Sequence, residues 1–599
     1  MSVLVLRNVR PFGGEPGDLA LADGKIIAAG QVPADVRHLD CTGLIALPGL
    51  VDLHTHLREP GPPEAETIES GTSAAARGGY AAVFAMANTT PVADSAAAVE
   101  HVAALGRRAG HCDVYPVGAV SIGLAGSRLA DIAGMADSAA HVRLFSDDGK
   151  CVSDPVLMRD ALTAVRGVGV LAQHAQDPGL TAGAQLNEGI VSAALGLAGW
   201  PAMAEEAIIA RDVIMAYHLG ARLHVCHVST AGSVEVIRWA KAQGFPVTAE
   251  VTPHHLTLVD DLARTGDARY KVNPPLRSAD DVIAVQAALV DGTIDVVATD
   301  HAPHVREEKA RDWCSAPMGM VGLETSLALV AEVFIDTNRL DWRQLAQRMS
   351  QCPAELLGIT DAHGSDLAPG SPATICLVDP HLPWRVDPES LASLSANTPF
   401  AGRQLSARVV ATILRGGRTY LTHIALAPLG GGGWAPPPER VTLSRSTRSP
   451  VATARSWADR SAACSCREPL RQTRRRQSWD HPSVVPKCQV GLVLAVGLAG
   501  QPFEERGLGC GGWAAPARLQ PGCSPGGGWP GPVSASSSWV VGIRRPAVVR
   551  WRRPGWPRLA AGRGVARRAG LRRRSCPGPG HRRVPCLGSR GRCLGARGG

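Results

Sequence analysis

Between residues 46 and 302 one pattern recurs: a short apolar run closes on polar residues, and a longer Ala- and Leu-rich stretch with helical spacing follows. The apolar runs occupy residues 46–56, 81–88, 114–121, 142–148, 168–174, 222–227, 247–255 and 294–301. Helical stretches between them include 66–77, 155–165, 204–218, 232–242 and 279–289. Strands that are apolar throughout are buried on both faces, as parallel strands covered by helices are. Eight repeats predict an α/β chain built on a (β/α)8 TIM-like barrel over residues 46–360.

The flanks have a different texture. Residues 1–45 hold short strand-like runs at 3–7, 19–21 and 25–30 separated by Gly/Asp turns, and runs at 373–379 and 409–415 come after a predicted helix at 342–357. Neither flank can bury a sheet face alone. Residues 1–45 and 361–420 are therefore expected to form one small composite β-sandwich.

Charge divides the chain more sharply than hydropathy. Residues 1–420 carry 32 Lys+Arg against 47 Asp+Glu, whereas 421–599 carry 30 against 6, so the net charge of +9 averages two unlike parts. The basic part has eight Trp, eight Cys and 29 Arg but no Asn, Tyr or Met, and no helical or strand period persists in it. GC-rich codons read without selection for a fold give such a profile. The expectation is a low-order tail that begins where the reading frame is lost near 416–430, by frameshift or readthrough. An Arg/Gly-rich nucleic-acid-binding extension is the rival, disfavoured because the arginines clump irregularly. Seven cysteines scattered through apolar segments of the first part suggest reduced thiols in a cytoplasmic protein. No secretory signal is visible at the start, and the apolar stretch 490–499 is too short for a bilayer, so no membrane partner is expected.

The chemistry gathers at the ends of the apolar runs, where barrel enzymes keep their active sites. The first ends in His54-Thr-His56, whose i, i+2 spacing puts two imidazoles on one face of a strand. Asp147-Asp148 ends the fourth, His174 the fifth, His224-Val-Cys-His227 the sixth, and Asp300-His-Ala-Pro-His304 closes the eighth. Singly, each is an ordinary polar strand end. Jointly, four imidazoles, a bridging carboxylate and one further carboxylate are what a dinuclear metal hydrolase requires.

The strings HTHLREPG, FAMANTTP, SDDG, HVCHVST, EVTPHHL, VNPPLRS, ATDHAPH, MVGLET and SANTPF resemble those of the bacterial class I dihydroorotases of the amidohydrolase superfamily, over residues 1–418. The resemblance implies two Zn2+ per chain, one held by His54 and His56, the other by His174 and His227, with Asp148 bridging and Asp300 both ligand and catalytic acid/base. For the substrate it implies His56, Arg58, Asn88, Asn273, His304 and the backbone of Met318 and Gly319. The implied reaction interconverts (S)-dihydroorotate and N-carbamoyl-L-aspartate in pyrimidine biosynthesis. Two other readings stay open: a hydantoinase- or allantoinase-type cyclic amidase, and a non-catalytic partner of aspartate transcarbamoylase. Hydantoinases bridge their metals with a carboxylated lysine, and here Lys150 stands two residues past Asp148, beyond a glycine. Gln176 stands where relatives carry an acidic residue. The resemblance also leaves room for a homo-oligomer and for assembly with aspartate transcarbamoylase.

Overall fold

A computed structural model describes residues 3–32 and 36–422; the tail expected from about 421, with its reading-frame question, lies outside the described residues from 423 onward. Eight strands ascend with helices between most of them: β1 (Leu50–Thr55), β2 (Tyr80–Ala85), β3 (Asp113–Pro116), β4 (Leu144–Phe145), β5 (Val170–Gln173), β6 (Leu223–Val225), β7 (Val247–Val251) and β8 (Val296–Val297). Within each ladder the neighbours pair in parallel. The ladders form two sheets, β1-β2-β3 and β4 to β8 in chain order. At the seams only single bridges remain, Gly118 with Phe145 and Thr55 with His301. The α/β alternation is as expected, while the ladders do not run unbroken round a ring.

Local chemistry explains the helix limits. Asp154 caps helix Pro155–Val165 by accepting from the Leu157 amide, and Pro155 takes the first position, where no intrahelical N–H is required. Ser278 and Asp281 form a capping box at the start of Ala279–Asp291, and Gly292, at φ +87°, ends it in the left-handed conformation. These limits agree with the sequence pattern to within two residues. Other expectations need correction. The predicted run 46–56 divides: Ile45–Pro48 joins the flanking sheet, and β1 begins at Leu50. Gly49 makes the division possible, since a Cβ there would lie 2.6 Å from the Ala81 Cβ and 2.8 Å from Thr374 Cγ2. The predicted helix 342–357 is broken into Trp342–Ala346, a π-turn at Gln347–Gln351 and Cys352–Leu357. Pro353, which lacks an amide hydrogen, sits just beyond the π-turn.

Both flanks contribute to one eight-stranded sheet, in which Ile375–Asp379 lies antiparallel between Ile45–Pro48 and Arg408–Leu414. Leu4–Pro11 serves both halves of it. Its residues 4–7 pair with Arg37–Asp40, and after an irregularity in its pairing with Gly17–Ala22 its residues 10–11 pair with Ile45 and Ala46. Helix Cys352–Leu357 packs Leu356 and Leu357 into a cluster with Val51, Leu53, Phe84, Leu144, Val170 and Val296 from the parallel strands. Among the described residues no helix is long and apolar enough to cross a membrane, and Cys41, Cys112, Cys151, Cys226, Cys352 and Cys376 are free thiols.

Candidate active site

The two aspartates just past β4 have separate tasks. Asp147 accepts from the amides of Val120 and Ser121, at 2.8 and 2.9 Å, and from the Ser121 hydroxyl, so its carboxylate is consumed in holding the neighbouring loop. Asp148 turns to the histidines. Its Oδ1 lies 3.2 Å from His174 Nδ1 and 3.3 Å from His227 Nε2, and its Oδ2 lies 3.1 Å from His54 Nε2 and 3.2 Å from His56 Nε2. One carboxylate thus sorts four imidazoles into two pairs, one per oxygen. Asp300 Oδ1 stands by the second pair, 3.1 Å from His56 Nε2 and 3.5 Å from His54 Nε2.

The outer nitrogens of three of these rings are fixed. His54 Nδ1 faces Glu250 Oε1 at 2.6 Å, His56 Nδ1 faces Asn88 Oδ1 at 3.0 Å, and His174 Nε2 faces Gln176 Oε1 at 2.7 Å. Each oxygen accepts the ring N–H, and in the neutral imidazole this leaves the inward nitrogen with a lone pair. That is the tautomer a metal ligand needs. His227 and Asp300 have φ of +33° and +48°, strained values for non-glycine residues that concentrate at functional sites.

The electrostatics suit cations. Burial alone would lower the pKa of His54, but the carboxylates of Asp148, Glu250 and Asp300 hold it well above the imidazole range. Burial likewise opposes ionisation of Asp148, yet His54, His174 and His227 keep it well below the carboxylate range. Asp300 behaves in the same way, against burial, through His54 and His56. Three buried carboxylates around four imidazoles call for compensating positive charge. His54 Nε2 is also a buried atom without a hydrogen bond. Together with the mixed N/O donor set, these features fit divalent metal ions.

Beside this cluster lies a cationic end. Arg58, at φ +59°, gives its Nε–H to the Pro303 carbonyl at 3.1 Å, and its Nη2 lies 3.5 Å from His304 Nε2, at the outer limit of a hydrogen bond. His304 Nε2 donates to the Met318 carbonyl at 2.7 Å. Burial and the Arg58 charge push the His304 pKa down to about 3, so Arg58 is the charged member of the pair. At Gly319 (φ +131°) a Cβ would lie 2.7 Å from the Ala302 Cβ and 2.9 Å from His304 Nε2, so only glycine lets this loop approach. Asn397 holds it there through the carbonyls of Ala302 and Gly319, at 3.0 and 3.2 Å. Asn273 donates to Gln176 Oε1 at 3.2 Å and keeps a buried, unpartnered Oδ1. Every residue expected at the site is therefore gathered in one place.

The family model described as dihydro-orotase-like matches residues 43–233. The chain is 56% identical over 427 residues to a dihydroorotase of Streptomyces coelicolor, covering 70% of this chain and 99% of that one. It is 52% identical over 421 residues to a dihydroorotase of Mycobacterium tuberculosis, covering 69% and 97%. The chain belongs to the dihydroorotase family. Among solved structures it is similar to the L-hydantoinase (dihydropyrimidinase) of Arthrobacter aurescens, with TM-score 0.64, 26% identity and coverage of 72% of this chain and 98% of that one. A dihydropyrimidinase of Brevibacillus agri shares the fold at 22% identity and TM-score 0.61, covering 70% and 95%.

Sequence reasoning missed some members of the site. Glu250 accepts from His54 and from His224 Nε2 at 3.1 Å, and from the His227 amide at 3.3 Å. A signal for it existed: it is a carboxylate in a strand, Val247–Val251, that is otherwise apolar and buried except for Thr248. Asp52, which accepts from Thr299 and the His54 amide, and Asn397 were also missed. Nothing in their spacing distinguishes them from ordinary polar positions.

Proposed function

We propose that the chain is a zinc-dependent dihydroorotase, hydrolysing (S)-dihydroorotate to N-carbamoyl-L-aspartate and closing the ring in reverse for pyrimidine biosynthesis. The observation that carries this reading is Asp148, one oxygen to each pair of imidazoles, beside the guanidinium of Arg58. In this reading His54, His56, His174, His227, Asp148 and Asp300 hold two Zn2+. Two such ions would lower the pKa of water toward roughly 7 and polarise the amide carbonyl to be attacked. Asp300 takes a proton from the attacking water and returns it to the departing ring nitrogen, as base and then acid. Arg58 grips the exocyclic carboxylate, with Asn88, Asn273 and the neutral His304 giving directional contacts. The single bridges at Gly118 and Thr55 support reading the two parallel sheets as one closed eight-stranded ring, with this site at its carboxyl end.

A hydantoin lacks the carboxylate that Arg58 would grip. Lys150 also gives its ammonium to the Leu124 carbonyl at 3.0 Å, which supports Asp148 over a modified lysine as the bridge. The test is turnover of dihydroorotate and of hydantoin by the purified chain, with and without aspartate transcarbamoylase, next to Asp300→Ala. Dihydroorotate should be the better substrate, and the variant should lose roughly 10²–10⁴-fold or more in kcat. Preference for hydantoin, or near-normal turnover by Asp300→Ala, would reject the assignment. Absence of turnover even with the transcarbamoylase would favour the non-catalytic reading.

A further inference from the structure

Two lysines behind the cationic end of the site are buried and unneutralised. Lys271 is 3% exposed and Lys309 is 6% exposed. Among the described residues neither ammonium reaches a carboxylate; each is spent on backbone carbonyls. Lys271 Nζ donates to the carbonyls of Trp313 at 2.7 Å and Ala316 at 2.9 Å, with Cys314 at 3.4 Å, which accounts for all three of its hydrogens. Lys309 Nζ donates to the carbonyls of Pro317 at 2.9 Å and of Lys271 at 3.2 Å. The Lys271 carbonyl also accepts from the Gly319 amide at 2.9 Å.

All but the Lys309–Lys271 bond engage one loop, residues 312–319, which ends at Met318 and Gly319 against His304. Burying an ammonium without a counter-ion is costly, and a surface loop does not require it. An anion-binding pocket does: bonds from the two lysines to the loop's carbonyls hold its wall in shape.

We infer that Lys271 and Lys309 are positioning residues for the anionic substrate: their ammoniums fasten loop 312–319 by its carbonyls and hold Met318 and Gly319 against the carboxylate pocket. The inference rests on the dihydroorotase reading for the identity of the anion. Neither lysine touches the metal-ligand cluster, so they act on binding and leave the chemical step alone.

The test uses the full chain with Lys271→Met and Lys309→Met, which keep length and remove donors and charge. Four quantities are read: KM and kcat for dihydroorotate, bound zinc, and amide hydrogen exchange across 312–319. The expected result is a KM raised about tenfold or more, kcat within about threefold, unchanged zinc, and faster exchange confined to 312–319 and its contacts. A KM within twofold of the parent, or unchanged exchange in 312–319, overturns the inference. So does a fall in kcat at constant KM. Exchange requires no substrate, so the fastening can fail while the activity stands, and the converse result is equally visible.

Discussion

Which nitrogen of a histidine faces a metal is settled by what holds the other one, and here the holders are Glu250, Asn88 and Gln176. The inward-facing partners are legible in the sequence, because His54, His56, Asp148, His174, His227 and Asp300 all sit where strands end. Glu250 is less so, because what brings residues 54 and 250 together is the placement of β1 against β7, strands that lie in different sheets and do not pair. Glu250 also binds several site groups at once: two imidazoles and the His227 amide. Glu250→Gln keeps the shape and an acceptor but removes the charge. It should weaken zinc binding by roughly 10–100-fold in chelator competition. Affinity unchanged from the parent would mean that His54 is oriented by packing alone.

At the scale of elements, the sequence is most legible where a cap or a stop makes the boundary chemical, as at Asp154 and Gly292. It is least legible where tertiary contact decides. The division of run 46–56 at Gly49 depends on Ala81 and Thr374, neither of which is near it in sequence. The π-turn at Gln347–Gln351 inserts into a stretch whose helical period looks continuous. Gly49→Ala should therefore destabilise the fold by about 1–3 kcal/mol, since its Cβ would have to displace two packed side chains. Thermal or denaturant unfolding measures this, and a melting temperature unchanged by the substitution would show that the joint yields easily.

For the whole molecule, charge and pattern separate residues 1–420 from residues 421–599, and the family model matches residues 43–233, inside the first of these parts. Two flanks meeting in one sheet are foreseeable from their incompleteness, whereas the exchange of partners along Leu4–Pro11 is not. The first part gathers four imidazoles and two carboxylates into one cluster, which in the proposed function would hold two zinc ions. Titrating Zn2+ into the metal-stripped full chain while following dihydroorotate turnover tests it most directly. The account predicts no turnover without metal and a plateau at about two zinc per chain. Full activity in the stripped chain, or a plateau at one zinc, would contradict it.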